Sequence, residues 1–323
     1  MPSEAQLLLI DKTAVERLLL PDDVVAAVRE AFELHHQREG RVFPVIRESL
    51  ATGGIFGIKA GDVASQNLLG FKAAGFWATN RKVGGDAHQA TVLLFDPHTG
   101  RPLCVIDGNA ITTARTAAAG ALGLTLLARP DSARVTVFGT GIQGAAQLAY
   151  SLRTLPSLNK VTYVTFDRKP DPAFEARFGE LCEIRCAIDA DAAAADSDIV
   201  ITATPGGGPL FSASAIQPGT HLNCVGADTR GKRELPPGVL ERARVVVDDL
   251  QQARQLGELQ WAPDTPCREL GELVSASVPP ARSPTDITVF DMTGLALQDL
   301  TVARLIHRGA RELGLGTAVA WPW

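Results

Sequence analysis

The chain has little of what marks a metal, membrane or nucleic-acid protein. Its 323 residues contain five cysteines (Cys104, Cys182, Cys186, Cys224, Cys267) and no CxxC pair. A scattered, odd set of this kind excludes a disulfide framework and suits reduced thiols in a cytosol, with buried structural roles expected. The six histidines include the adjacent His35 and His36 but no HExxH or comparable ligand spacing, so no metal site is predicted. Charge of one sign is never concentrated: 31 basic residues face 36 acidic ones for a net charge of −5, a poor match to nucleic acid or an anionic membrane. The longest mostly apolar stretch, Ala117 to Ala128, falls short of the roughly 20 residues that cross a bilayer. The start, MPSEAQLLLID, carries an acid where a secretory signal has a basic region. A cytoplasmic location is expected. No internal repeat or low-complexity tract is evident.

What is present is an ordinary globular composition, 46% hydrophobic, at a length that suits two domains. Pro21 to Gln37 places Val24, Val25, Val28, Ala31 and Phe32 at helical spacing behind Pro21, Asp22 and Asp23, which predicts an amphipathic helix. The runs GIFGIKAG, LLGFKAAGFW and ATVLLFD read as an antiparallel strand set. From Ile111 to Ala128 the composition turns Ala/Leu-rich and helical. After it, RVTVF, VTYVTF, DIVITAT, HLNCVGA and RVVVDD are β-branched runs at helix-length spacing, the pattern of a parallel sheet covered on both faces. The last stretch, from TVFDMTG onward, predicts a strand, a turn and a long helix that returns to the first domain. The fold class is therefore α/β: a Rossmann doubly wound parallel sheet plus a discontinuous α+β domain for substrate binding and dimerisation. The expected limits are 1–116 with 300–323 for the latter and 117–299 for the NAD(P)-binding domain.

The most specific local signal is GTGIQG, set between the strand RVTVF and a helix. Gly139 permits the tight turn, Gly141 lets backbone approach a pyrophosphate, and Gly144 permits close helix-to-strand packing. The helix start supplies free N–H groups and positive potential to phosphates. Asp167, 23 residues after Gly144, ends the second strand where a carboxylate would bond the adenosine ribose, which favours NAD. Arg168 and Lys169 are cations that suit the extra phosphate of NADP, so that coenzyme stays open. Thr204 and Pro205 end a further strand in a Gly-rich loop, either as a coenzyme contact or as a simple turn.

A Rossmann domain does not specify its reaction. Arg47 and Lys72 are cations among mostly apolar strand residues, where a bound carboxylate would offset the cost of burial; each can instead snorkel to solvent. Arg115 lies in the otherwise small and apolar ITTARTAAAG and requires a partner, a ligand or a salt bridge to another domain. Asp228 follows a parallel strand at its carboxyl end, where ligands of open α/β sheets collect, or caps a turn.

HQATVLLFDPHTGRPLCVIDGNAITTARTAAAG, VTVFGTGIQG, NCVGADTRGKREL and VFDMTGLALQDL resemble, in order, the signature segments of the ornithine cyclodeaminase/mu-crystallin family. The resemblance covers nearly the whole chain. It implies that Arg47, Lys72 and Arg115 gather around the carboxylate of a small α-amino or α-imino acid. Asp228 would be the general acid/base, with Lys72 also in the catalytic set. Coenzyme contacts would come from His88, Arg115, Thr116, Ile142, Gln143, Val225, Lys232 and Thr293, beside the glycines, Asp167, Arg168 and Thr204. It further implies a homodimer formed through the first domain. Many members carry Ser where this chain has Met292, so that a polar contact to the nicotinamide is either lost or passed to Thr293. The lens mu-crystallin branch lacks the acid at the position of Asp228, and this chain keeps it.

The implied activity is NAD(P)H-dependent reduction of a small α-imino acid, such as Δ1-pyrroline-2-carboxylate or iminosuccinate, to the L-amino acid. Two alternatives stay open. One is ornithine cyclodeaminase, which makes L-proline and ammonia with catalytic NAD+; the other is a ligand-binding protein of mu-crystallin type without turnover.

Overall fold

The computed structural model describes residues 5–278 and 281–321; the outer ends of the expected domain limits, at 1 and 323, lie outside them. The chain divides into two compact units. The first runs up to Arg115 and resumes at Leu295, and the second is Thr116–Gly294.

The first unit opens with β1 (Ala5–Ile10), α1 (Lys12–Leu18) and α2 (Pro21–His36). It continues through β2 (Gly40–Val42), β3 (Ile46–Ser49), β4 (Ile55–Val63), β5 (Leu68–Phe76), β6 (His88–Phe95) and β7 (Pro102–Asp107) into α3 (Gly108–Leu127). Pro21 at the first turn of α2, with Asp22 and Asp23, suits a helix start, and the helix buries Val24, Val28, Ala31 and Phe32. The long strands β4, β5 and β6 pair antiparallel without interruption until a shift at Leu94/Phe95 against β7.

In the second unit come β8 (Arg134–Phe138), α4 (Ile142–Thr154), β9 (Lys160–Val164), α5 (Pro172–Phe178), β10 (Glu183–Cys186), α6 (Ala190–Ala195), β11 (Ile199–Thr202) and β12 (His221–Cys224). They are followed by β13 (Arg244–Val247), α7 (Leu250–Leu256), β14 (Cys267–Glu269), α8 (Leu270–Val274) and β15 (Thr288–Asp291). All eight strands are parallel, in the order β10-β9-β8-β11-β12-β15-β13-β14. The order reverses between β8 and β11, the position where open α/β sheets bind ligands. Fully buried β-branched and aliphatic residues, among them Val135, Val137, Ile199, Val200 and Ile201, explain the continuous apolar runs. The expected doubly wound sheet is present.

The chain then returns to the first unit as α9 (Ala296–Leu313) and β16 (Thr317–Trp321), giving a sheet ordered β16-β1-β7-β6-β5-β4-β2, with β3 paired to β4. Leu297 and Leu300 of α9 are fully buried and lie over glycine positions of β4 and β5, each contributing roughly 1.5–3 kcal/mol. Gly314, in the left-handed conformation, ends the helix.

Two expectations change. The apolar helix α3 is 20 residues long, not the shorter run Ala117–Ala128, and is long and apolar enough by composition to cross a bilayer; most of it is buried inside the protein. Of the five free thiols, Cys104 and Cys224 are buried, whereas Cys182, Cys186 and Cys267 are only half-buried.

Candidate functional site

Each unit presents its own set of chemically distinctive residues. In the first, strand register decides which side chains meet. Lys59 of β4 lies directly opposite Lys72 of β5, Gly57 opposite Ala74, and His88 of β6 opposite Phe76. Arg47 of β3 faces Gly57. Alternation along a strand therefore puts Arg47, Lys59, Lys72 and His88 on one face, with Gly57, Ala74 and Ala90 in the row between Lys59, Lys72 and Val92 on one side and Phe76 and His88 on the other.

One end of this face is covered by α9, whose Asp299 is fully buried. Lys72 Nζ lies 2.8 Å from the Asp299 carboxylate and 3.3 Å from Thr112 Oγ1. Arg115 Nε donates to Asp299 Oδ1 at 3.1 Å, and its Nη1 donates to Gln298 Oε1 at 3.1 Å. Lys72 is only 4% exposed and does not snorkel to solvent. Arg115, expected to need a partner, finds it in its own unit. The sequence reading missed Asp299, because an acid in the first turn of a helix is commonplace as a partner of the helix dipole.

Burial pushes the Lys72 ammonium down to about 7; Asp299 pulls it upward, and Arg115 and Lys59 repel it. Burial alone would raise the Asp299 carboxyl, but Lys72 and Arg115 outweigh it and hold it below its ordinary value. Half-buried His88 places Nδ1 3.1 Å from Asn109 Oδ1, and Arg47 is half-buried as well.

In the second unit the carboxyl ends of five strands are laced together. Gly139 N donates to Val164 O, Ala203 N to Phe138 O, Val225 N to Thr202 O, and Met292 N to Cys224 O. This brings the turn at Gly139, the loop at Thr204, Val225 and Thr293 to one edge of the sheet. The turn fits a dinucleotide. Gly139 has φ 96°, and a Cβ on Gly144 would collide with the Gly139 carbonyl oxygen, whereas one on Gly141 would meet nothing within 4 Å. Buried Gln143 Oε1 has no hydrogen-bond partner among the described residues, and the apolar Ile142 side chain is exposed. An open cradle, an orphaned polar atom and a bare apolar side chain at a helix start suit a bound phosphate-containing ligand.

Asp167 is exposed at the end of β9, and the Lys169 backbone N–H, the main influence, holds its carboxyl below the usual range. Arg168 next to it is left-handed, φ 61°. Asp228 and Lys232 form an ion pair of 2.7 Å, both partly exposed. Thr116 O accepts from Gln147 Nε2 at 2.9 Å, which ties α3 to α4. Buried Thr293 donates its hydroxyl to Asp248 at 2.6 Å and accepts from Gln252 Nε2 at 2.6 Å.

Beneath this edge lies a chain of buried acids that sequence reading did not single out. Glu234 Oε1 accepts from Thr204 N at 2.7 Å and Thr204 Oγ1 at 2.6 Å, and its Oε2 accepts from Gly226 N at 2.8 Å. Glu258 Oε1 in turn accepts from Glu234 N and Leu235 N, and Asp291 accepts from Glu258 N and Leu259 N. Burial pushes Glu258 up to about 8, reinforced by the charge of Asp291, and pushes Asp291 itself up to about 7. Glu234 thus joins the Thr204 loop to the segment that leads into Asp228.

With this geometry the comparisons agree. The model of the ornithine cyclodeaminase/mu-crystallin family matches residues 6–313. The chain belongs to that family. It is 33% identical to the iminosuccinate reductase of Paracoccus denitrificans, over 97% of this chain and 99% of that one. It is similar to an archaeal alanine dehydrogenase dimer with bound NAD, at TM-score 0.92 and 28% identity, covering 98% and 100% of the two chains. A third relative is the Δ1-pyrroline-2-carboxylate reductase of Thermococcus litoralis in complex with NADH and L-proline, at TM-score 0.89 and 28% identity, covering 97% and 100%. The resemblance carried by the four ordered segments is borne out, and this family member has the α/β architecture of those neighbours.

Proposed function

We propose that the protein is an NAD(P)H-dependent imine reductase that converts a small α-imino acid into the L-amino acid. The observation that carries this reading is the buried convergence of Lys72 and Arg115 on Asp299, on the sheet face that also carries Arg47 and the small residues Gly57, Ala74 and Ala90. Two cations share one carboxylate, so positive charge remains for the carboxylate of a substrate. The relatives named above are reductases and a dehydrogenase of substrates in this class.

In this mechanism the first unit binds and orients. Arg47, Lys72 and Arg115 hold the substrate carboxylate, and the fixed Lys72–Asp299–Arg115 cluster keeps it from wandering. The second unit provides Gly139, Gly141, Gly144 and the start of α4 for the pyrophosphate, Asp167 for the ribose, and Thr204, Val225 and Lys232 toward the coenzyme. Bound NAD(P)H supplies the hydride that the imine carbon accepts. Asp228 delivers a proton to the imine nitrogen, which makes that carbon more electrophilic, and Lys232 at 2.7 Å stabilises the carboxylate left behind. The C=N double bond becomes C–N, and the amine takes a further proton from water.

A homodimer in the cytoplasm belongs to the same proposal. It is supported by the dimeric archaeal neighbour and by the edge strand β16, exposed along its length with Val319 and Trp321 on it. Asp228 favours catalysis over ligand storage. Asp228→Asn is expected to lower kcat about a hundredfold or more while leaving coenzyme affinity near wild type. Full turnover in that variant, measured as NADH oxidation over a panel of imino acids, refutes the acid/base role. Ammonia release from ornithine with trace NAD+ and no net NADH would replace the reductase with the cyclodeaminase.

A further inference from the structure

Asp228 and Lys232 sit on a segment that belongs to no helix or strand, and a neighbouring turn of the chain holds it. We propose that Gln260 and Trp261 are positioning residues for the acid/base step. They clamp the backbone of Thr229–Lys232 and so fix the place from which Asp228 delivers its proton, a role that rests on the imine-reductase reading and deepens it.

The amide of Gln260 bonds the main chain of this segment through both of its ends. Its Oε1 accepts from Gly231 N at 2.7 Å, and its Nε2 donates to Lys232 O at 3.2 Å and to Gly257 O, behind it, at 2.8 Å. Trp261 Nε1 donates to the same Lys232 carbonyl at 2.8 Å, and the Arg233 guanidinium lies over the indole at 5.1 Å. Gly231 between these bonds is left-handed, φ 84°, a bend that suits glycine. The clamp has a firm base. Gln260 and Trp261 end the short 3₁₀ turn Glu258–Trp261, in which Leu259 is fully buried. Glu258 N and Leu259 N each donate to the Asp291 carboxylate at 3.0 Å. Support therefore runs from β15, inside the parallel sheet, through Gln260 and Trp261 to the bend beside Asp228.

The Asp228–Lys232 ion pair does not fix the acid by itself. Its side chains are 36% and 29% exposed, and such pairs gain little against the freedom of the two side chains that form them. A general acid has to stand within hydrogen-bond reach of the atom it protonates, and a misplacement of about 1 Å can cost a hundredfold in rate. Glu234 secures the flanks of the segment, holding Gly226 N and the Thr204 loop from beneath. The bend between these flanks, which carries Lys232, is bonded from outside by Gln260 and Trp261. Trp261 is 44% exposed, so much of its ring adds nothing to the core. Its bond to the Lys232 carbonyl accounts for its placement better than apolar burial does.

The test is made on the full-length protein with the best imino acid from a panel. Gln260→Ala is expected to lower kcat about tenfold while coenzyme KM moves by less than about threefold. Gln260→Glu, which keeps the acceptor for Gly231 N–H, should retain more of the rate than the alanine variant. Trp261→Phe keeps the ring and loses the N–H; its expected loss of about threefold tests the same clamp if Gln260→Ala does not fold. In the Asp228→Asn background, Gln260→Ala should lower kcat no further, because no acid is left to position. An equal loss in that background, or unchanged kcat in all three single variants, overturns the positioning role. Trypsin gives a readout free of turnover. Arg230 is exposed on the bend, and cleavage after it should be at least about tenfold faster in Gln260→Ala than in wild type. Unchanged cleavage overturns the clamp. A wild type inert toward every imino acid and toward ornithine overturns the reading of the reaction instead; faster cleavage of Gln260→Ala then keeps the clamp and removes only its catalytic purpose.

Discussion

The two units bury charge in opposite ways. In the first, Lys72 and Arg115 converge on the single carboxylate of Asp299. In the second, Glu234, Glu258 and Asp291 are buried with no cation paired to them among the described residues, and take their hydrogen bonds from backbone N–H groups and the Thr204 hydroxyl. In the first arrangement two cations share one carboxylate, which the proposed reaction uses to meet the carboxylate of the substrate. The second is self-contained: its donors are peptide groups and one hydroxyl, and burial raises the pKa of each acid. Under that proposal, burial of charge serves recognition in one place and loop positioning in the other.

The largest expected effect comes from breaking the cationic cluster. Asp299→Ala leaves two buried cations without their carboxylate, a loss of about 3–5 kcal/mol, visible as a fall in Tm. An unchanged Tm would mean the cluster is not buried in solution. Glu234→Gln should cost less, about 1–3 kcal/mol, because one of two acceptor oxygens becomes an amide NH2 donor facing a backbone N–H. Its more telling effect is on function: a raised KM for coenzyme, since Thr204 and Gly226 lose their common tether. A change in Tm with coenzyme KM untouched would reduce Glu234 to a structural prop.

The two kinds of site also differ in pH response. Glu258 and Asp291 have folded values raised above their unfolded ones, to about 8 from 4.5 and to about 7 from 3.8. Their stabilisation is full below the unfolded values and is lost as pH rises through the folded ones. Glu258→Gln should therefore flatten the decline in Tm between about pH 5 and 8; an identical decline in the variant contradicts the buried-acid account. The smallest effect on stability belongs to exposed Asp167. Asp167→Ser should leave Tm unchanged and shift coenzyme preference toward NADPH, and an unaltered preference would mean its carboxylate does not reach the ribose.

Much of this was legible in local pattern. The parallel strands show as uninterrupted β-branched runs because both faces of that sheet are covered. The turn GTGIQG shows its strand on one side and helix on the other. Lys72 and Arg115 stand out because each is a charge in apolar surroundings. Asp299 and Lys59 were not legible. One looks like a routine helix-start acid, and the other is a single lysine in a glycine-broken run. Glu234, Glu258 and Asp291 were equally hidden, since nothing in a one-dimensional pattern says that an acid near a turn will be sealed beneath it.

The sequence by itself determined the α/β class, the dinucleotide turn and the family, because these depend on periodicity and on residues adjacent in the chain. The tertiary structure alone decided that Lys59 faces Lys72 and that Asp299, 227 positions away from Lys72, closes the cluster. It also decided that Glu234 ties two loops together. Each of these contacts depends on strand register or helix docking, which arise from the sum of many long-range packing terms and leave no local mark on the chain.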